Sequence, residues 1–455
     1  MEMILEFLRD VLSQPALLIG IMSCVGLIAL KRPFHKIMTG TLKPILGYLM
    51  LAAGAGVIVS NLDPLGKMIE HGFHITGVVP NNEAIVAVAQ KVLGVETMSI
   101  LVVGLLMNLL IARFTKFKYV FLTGHHSLFM ACLMSAVLGT AGLSGIELIL
   151  VGGFLMGAWS AISPAIGQSY TSKVTDGDEI ALGHFGSLGY YLSAWVAKYV
   201  GKAEESTEDI EIPEKWGFLR DSTLSTALTM IVFYLIAAIA AGSEFVATLS
   251  GSMSPYLFAV MSAMNFAVGV AIVYSGVRMI LGDLIPAFQG IATKIIPNAI
   301  PAVDCAVFFT YAPTAVVLGF ISSFIGGIIG MLILGAVGGV LIIPGLVPHF
   351  FCGATAGIYG NATGGRRGAA VGAFLNGLAI TFLPALALPV LGQLGFQNTT
   401  FGDADFAVMG LVLGNAFEWI GMAGIYGVVV IAALVLIIPN FIKTKEKVIN
   451  YVEEE

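Results

Sequence analysis

Charge is scarce in this chain. Of 455 residues only 22 are Lys or Arg and 28 are Asp or Glu, 11% together, against roughly 25% in an ordinary soluble domain. A surface facing water on all sides cannot be built from so few charges, which excludes a soluble globular protein. Clustered cations are also missing: with a net charge of −6 and no Lys/Arg tract, there is no basic patch to neutralise phosphates, so nucleic acid is excluded as a partner. Cysteine is sparse and dispersed. Cys24, Cys132, Cys305 and Cys352 form no CxxC pair and sit in apolar surroundings, so neither a disulfide framework nor a zinc or other metal site is expected, and they read as small apolar packing residues. No HExxH, GxSxG or SxxK arrangement points to a hydrolase. The first residues, with Glu2, Glu6 and Arg9 ahead of the apolar run, lack the basic region and small-residue cleavage site of a signal peptide and read as the approach to a first span.

What is abundant is apolar length. Hydrophobic residues make up 57% of the chain and mean hydropathy is +0.93. Apolar runs fall at Leu12 to Leu30, Ile45 to Leu62, Ile100 to Ala112, Val120 to Leu138, Ile146 to Ala165, Leu224 to Ala241, Tyr256 to Val277, Pro301 to Phe320, Ile321 to Ile343, Ala369 to Leu391 and Ile420 to Ile438. An all-α polytopic membrane protein is expected, with about eleven transmembrane helices of roughly 20 residues.

Orientation follows from the cations. With the N-terminus outside, all 22 Lys and Arg except Arg9, Lys67 and Lys91 fall in loops on the cytoplasmic side, which the positive-inside bias requires. The C-terminus is then cytoplasmic. The one sizeable polar piece runs from about Gln168 to Asp221 and includes KAEESTEDIEIPEK, Lys202 to Lys215, read as a solvated linker. Before it, Leu188, Tyr191, Leu192, Trp195 and Val196 recur at helical spacing, the pattern of an amphipathic or membrane-dipping helix.

A repeat is visible in the spacing of prolines and acids. After the second apolar run come Pro64, an amphipathic stretch, and Pro80 followed by Glu83; after the seventh come Pro286, a similar stretch, and Pro301 followed by Asp304. The first copy begins outside and the second inside, the relation of inverted-topology transporter repeats. The expected division is 12–200 for the first repeat of five spans, 201–221 for a cytoplasmic linker, 222–392 for the second repeat, and 393–455 for a final span and cytoplasmic tail.

Ionisable groups within apolar segments are costly unless they line a polar cavity. That rule nominates Glu83, Asp304, and the pair His125 and His126 in LTGHHSLFM. Carboxylates accept from hydroxyls and imidazoles both donate and accept, so together they suit a polyhydroxylated solute. His126 faces away from His125 on the helix. His184, in ALGHFG after TDGDE, is a further candidate, while Asn108, Asn265 and Asn376 read as bridges between helices. The stretch GATAGIYGNATGGRRGAA, Gly353 to Ala370, has no GK[ST] to make a phosphate loop. Its small residues suit a re-entrant hairpin, closed by Arg366 and Arg367 as topology anchors or as contacts for an anionic or phosphorylated partner.

The blocks LTGHHSLF, KVTDGDEIALGH, GKAEESTEDIEIP, GVRMILGDLIPAFQGIATKIIPNAIPAVDCAVFFTYAPTAVVLGF and IIPGLVPHFFCGATAGIYGNATGGRRGA resemble the ascorbate-specific permease (enzyme IIC) family of the bacterial phosphoenolpyruvate-dependent sugar phosphotransferase system. The resemblance implies a homodimer in the bacterial inner membrane, with core and scaffold domains that interleave the two repeats and an elevator-like movement of the core. It implies solute phosphorylated on emergence by a separate IIB protein, itself charged by a IIA protein, with no cofactor bound and no phosphoryl-carrier residue on this chain. Substrate contacts would fall on Asn82 and Glu83, on His125, His126, Ser127, Leu128 and Phe129, on His184 and Phe185, and on Asp304. In the family, glutamines match Phe129 and Phe185, and a Thr-Tyr pair matches Asn82 and Glu83. The loss of the amide contacts at Phe129 and Phe185, worth about 0.5 to 1.5 kcal/mol each, opens the site to a related sugar acid or polyol. Asp304 is the candidate general base. The competing reading is a secondary transporter that couples a small polyhydroxylated solute to protons or cations through Glu83 and Asp304.

Overall fold

The computed structural model describes residues 11, 14–74, 77–80, 82–210, 222–392 and 399–441. Helix α1, Pro15–Ala29, starts with proline at its first turn, where the missing N–H costs nothing. It leads through Lys31 and Pro33 into α2, Phe34–Gly72. After β1 (Val79–Pro80) come α3 (Asn82–Phe114), β2 (Tyr119–Phe121), α4 (Gly124–Thr140), α5 (Gly145–Thr175), β3 (Ala181–Leu182) and α6 (Ser187–Val200). The second half runs α7 (Ser222–Ala241), α8 (Ser243–Ser250), α9 (Pro255–Lys294), β4 (Ile300–Val303), a 3₁₀ turn (Cys305–Thr310), α10 (Pro313–Ala336), α11 (Leu346–Gly392), β5 (Thr399–Thr400), α12 (Ala404–Ile420) and α13 (Met422–Ile437).

The protein is all-α and polytopic. Among the described residues seven helices are long and apolar enough to cross a bilayer, or eight when α7 and α8, bent by 117°, count as one broken span. The eleven apolar runs do not map one to one onto helices. Pro301 to Phe320 and Ile321 to Ile343 are not two spans: Pro301 starts a buried extended segment, the 3₁₀ turn follows, and only Pro313–Ala336 is α-helical. Composition cannot separate a buried strand from a buried helix when both are apolar. Conversely, α12 lies between two of the runs and was not anticipated.

Helix α11 spans 47 residues, about twice what a bilayer core of ~30 Å needs, because it is two antiparallel arms. Gly364 and Gly365 leave helical geometry, Gly365 at φ 59° and ψ −155°, a conformation that only glycine adopts freely. A Cβ on Gly360 would sit 3.0 Å from the Cα of Ala369 on the returning arm, whereas residues that far apart in a straight helix are about 13 Å apart. The hairpin expected at Gly353 to Ala370 is present, and Arg366 and Arg367 stand exposed at its tip.

The charge run before the second half is folded onto this tip, which differs from a freely solvated linker. Thr207 is buried and its N–H donates to Asn361 Oδ1 at 2.8 Å; Arg366 N–H donates to the carbonyl of Glu205 at 2.8 Å. The Glu208 carboxylate accepts from Thr314 N–H, Thr314 Oγ1 and Ala315 N–H at 3.0, 2.9 and 3.1 Å. Negative charge thereby meets the orphan amides at the start of α10. Residues 211–221 lie outside the described residues.

The short strands answer a physical demand. Helices break at Val78–Pro80 and Ile300–Val303, and the freed peptide groups need partners inside the protein. β4, from the second half, pairs in parallel with β2 and β3 of the first. β1, from the first half, pairs in parallel with β5 of the second, and Val78 bridges Ile342. Each half thus inserts its break between two segments of the other. Asn108 also bridges, donating to Tyr119 O at 3.1 Å and accepting from Phe121 N–H at 3.0 Å.

The long helices α2 and α9 approach backbone to backbone. A Cβ on Gly47 would lie 2.8 Å from the carbonyl of Gly276, and one on Gly54 2.7 Å from that of Gly269. Small residues permit close packing where lipid supplies no hydrophobic drive between helices. Gly54→Leu is expected to destabilise the protein by about 1–3 kcal/mol through overpacking, seen as a lower unfolding midpoint in detergent. Gly56→Leu, where a Cβ meets nothing within 4 Å, should leave it unchanged. Equal losses would refute the backbone contact.

Candidate functional site

Five strand ends converge on one cavity of about 700 Å³, within the range of small-molecule sites. β1 delivers Asn82, β2 delivers His125 and His126, β3 delivers His184, β4 delivers Asp304 and β5 delivers Asp403. Parallel pairing brings the outgoing ends of the strands to the same side, so residues far apart in the chain meet without long loops.

Asp304 caps the 3₁₀ turn by accepting from Ala306 N–H at 3.1 Å, which leaves its other oxygen, Oδ2, 3.4 Å from His125 Nε2. The far nitrogen of that ring, Nδ1, is 3.2 Å from the hydroxyl of Tyr48 on α2. Asp304 is 8% exposed, while the His125 side chain is 39% exposed and borders the cavity.

His126 and His184 form the opposite corner, with ring centroids 3.8 Å apart. Backbone amides hold both: His126 Nδ1 accepts from Phe185 N–H at 3.3 Å, and His184 Nδ1 accepts from Gly186 N–H at 3.1 Å. Tyr190 Oη lies 2.9 Å from the same His184 nitrogen. A neutral imidazole whose Nδ1 accepts carries its proton on Nε2, so the network assigns each ring a free N–H donor. This bears on metal binding. The donor atoms of His126, His184 and Asp403, and of His184, Asp304 and Cys305, lie within 4.8 Å of one another. Metal binding at either cluster would require His126 and His184 to give up the Nδ1 bonds or the Nε2 proton just described.

Asp403 is the second carboxylate of the cavity. Its Oδ2 accepts from Asn82 Nδ2 at 2.6 Å and its Oδ1 from Cys352 Sγ at 3.0 Å, with His184 Nδ1 3.8 Å away. Asn82 in turn accepts from Gly402 N–H at 2.9 Å. Two positions on, Asp405 is fully buried and takes Trp159 Nε1, Ser187 Oγ and the Leu188 amide at 3.1, 2.7 and 2.9 Å. It ties α12 to α5 and α6 and does not reach the cavity.

The residues nominated from sequence separate into groups. Asn82, His125, His126, Phe129, His184 and Asp304 line the cavity together. His126 does so although it faces away from His125 on α4, because His184 and Phe185 come round to meet it. Ser127 is buried and bonds the carbonyl of Thr123 at 3.3 Å. Leu128 packs in the second apolar cluster. Phe185 lies behind the site, fully buried and stacked on Phe121 at 4.6 Å, and only its backbone N–H serves the cavity. The side chain of Glu83 lies outside the described residues.

Sequence reasoning missed Tyr48, Cys305, Cys352 and Asp403, all of which line the cavity. Cys352, taken as a packing residue, donates to Asp403. The cost of burying a charge would have found Asp403 in TFGDADFAVMG, had α12 been recognised as an apolar element. No sequence signal marks Tyr48.

The family described as PTS system sugar-specific permease component matches residues 10–405. A protein of Mycoplasma pneumoniae (strain ATCC 29342 / M129 / Subtype 1), described as an ascorbate-specific PTS system EIIC component, is 26% identical over 417 residues, covering 78% of this chain and 62% of the relative. The match thus spans about three-fifths of that relative's length. With a family match over nearly its whole length and multiple apolar helices, the chain belongs to the sugar-specific permease (IIC) family of the phosphotransferase system and is a multi-pass membrane protein.

Proposed function

We propose that this permease translocates L-ascorbate or a related sugar acid or polyol across the bacterial inner membrane, and that a separate IIB protein phosphorylates the solute as it emerges. The observation that carries this reading is the division of the cavity into acceptors and donors. Asp304 Oδ2, which faces His125 Nε2 at 3.4 Å and takes no hydrogen bond among the described residues, accepts a sugar hydroxyl. The Nε2–H groups of His126 and His184 donate to an oxygen with no proton of its own, such as a lactone carbonyl or an enolate. An anionic solute beside two carboxylates meets repulsion. Here both oxygens of Asp403 already take donors, which offsets its charge locally.

In the phosphoryl step, Asp304 takes the hydroxyl proton as the hydroxyl oxygen attacks phosphorus and the IIB residue leaves. No cofactor is needed on this chain. IIB docks on the face that carries Arg366 and Arg367, where the positive-inside bias places the cytoplasm. The N-terminus is then outside, the C-terminus cytoplasmic, and the functional unit a homodimer in which residues 12–200 and 222–392 are the inverted repeats and 393–455 the final span and tail.

Asp304→Asn keeps the cap on Ala306 but cannot take a proton, and should lower phosphoenolpyruvate-dependent uptake with purified IIB by about 10²-fold or more, the usual contribution of a general base. Uptake at the wild-type rate would remove Asp304 from the mechanism. His125→Ala should weaken binding of labelled ascorbate, or of the best competitor from a panel of pentitols, hexitols and sugar acids, by at least about tenfold, as expected for a bond to a charged group. Coupling is tested separately in vesicles. Uptake that survives an uncoupler and stops without the phosphoenolpyruvate relay is expected; the opposite pattern would establish a proton-coupled transporter.

A further inference from the structure

We propose that Tyr48 is a positioning residue of this site, which selects the tautomer of His125 and so aims an N–H at Asp304. The inference rests on the reading of the cavity as the solute site and adds a residue that the family resemblance does not supply. Tyr48 is 7% exposed, and its hydroxyl is 3.2 Å from His125 Nδ1 while His125 Nε2 is 3.4 Å from Asp304 Oδ2. An ionised carboxylate can only accept, so Nε2 must carry the proton for this pair to attract; the neutral ring then leaves a lone pair on Nδ1. A phenol O–H is the donor that such a lone pair needs. In the other tautomer the Nε2 lone pair would face the Asp304 oxygen, and the ring would turn away.

The three histidines of the site differ in how this choice is made. His126 and His184 are set by the amides of Phe185 and Gly186, which backbone geometry guarantees. Among the described residues, His125 Nδ1 meets Tyr48 alone. The contrast extends to where the tyrosines come from. Tyr190 reaches His184 from α6, six residues along the chain. Tyr48 reaches His125 from α2, which packs on α1, α7 and α9 and supplies the opposite wall of the cavity. From Leu51 to Leu62 that wall is apolar, with Leu51, Ala52, Val59 and Leu62 facing the cavity. Further along α2, Asp63, Lys67 and Glu70 also line the cavity, but Tyr48 is the α2 residue that reaches His125, and any shift of α2 against β2 and β4 removes that contact.

The test needs no solute in its first arm. Diethyl pyrocarbonate acylates an unprotonated imidazole nitrogen, and peptide mass spectrometry reads each histidine separately in the purified full chain. Tyr48→Phe keeps the ring and removes only the donor, so acylation of His125 should become several-fold faster while His126 and His184 keep their rates. Tyr190→Phe, as a comparator, should leave His125 as in the wild type. An unchanged His125 rate in Tyr48→Phe would overturn the proposal, as would equal acceleration at all three histidines, which would assign Tyr48 to packing. In the second arm, Tyr48→Phe should bind labelled ascorbate about tenfold more weakly; unchanged affinity with a faster His125 would remove the positioning role. If the wild type binds neither ascorbate nor any competitor, it is the assignment of the cavity that fails, and the acylation result still decides the Tyr48 contact.

Discussion

A peptide group left without a partner in hydrocarbon costs several kcal/mol, and the site depends on how two breaks in the helical bundle meet that cost. β1 and β4 are too short to be stable alone, and each is placed between two segments of the opposite half. Leu122 N–H donates to Ala302 O at 2.9 Å and Gly183 N–H to Val303 O at 2.7 Å, while Val78 exchanges bonds with Leu341 and Ile343 at 2.8 and 2.9 Å. Neither half could satisfy its own interruption. The same pairing that repairs the backbone sets the register of Asn82, His125, His184, Asp304 and Asp403, so the polar site is a consequence of the repair.

Within the cavity the two carboxylates have different duties because their environments differ. Each oxygen of Asp403 takes one donor, an amide on Oδ2 and a thiol on Oδ1, and it holds Asn82 against the segment before α12. Asp304 spends one oxygen on its own turn and turns the other towards His125 and the cavity. Burial of a charge is tolerated when it is paired and bonded, and both meet this condition by different means. Asp405 completes the series, since three donors from α5 and α6 make it a structural tie close to the site.

Much of this was legible in the sequence because the membrane makes polar residues conspicuous. The cost of burying charge pointed directly at Asp304 and His125, and the spacing of Pro80 with Glu83 and Pro301 with Asp304 marked both breaks. Small residues in Gly353 to Ala370 announced the hairpin, which turns at Gly364 and Gly365. What escaped has physical reasons. An apolar strand, a 3₁₀ turn and a helix share one composition, so Pro301 to Phe320 looked like a span. The acidic run around Glu208 looked solvated, since nothing local shows that its partners are Asn361 and the start of α10. Tyr48 is one of 13 tyrosines in a chain rich in aromatics, and its role depends on a nitrogen 77 residues away.

The aromatic side chains near the site carry a last step of argument about specificity. Phe129 and Phe185, both nominated from the sequence, occupy different positions relative to the cavity. Phe185 has left the cavity: it packs on Phe121, Phe406 and His126, with ring centroids 4.6, 5.7 and 6.0 Å away. Its ring is fully buried, and its amide serves the site by donating to His126. Phe129 stays at the wall, edge-on to His125 at 5.8 Å and tilted to His126 at 5.7 Å. It thus presents an apolar surface between the acceptor corner at Asp304 and the donor corner at His126 and His184. A solute that fits both corners needs hydroxyls at one end, a bare oxygen at the other and a carbon face between them. Within the proposed function, this wall favours the sugar-acid side: the flat ring of a lactone would meet these demands, whereas an extended polyol would place a hydroxyl against Phe129.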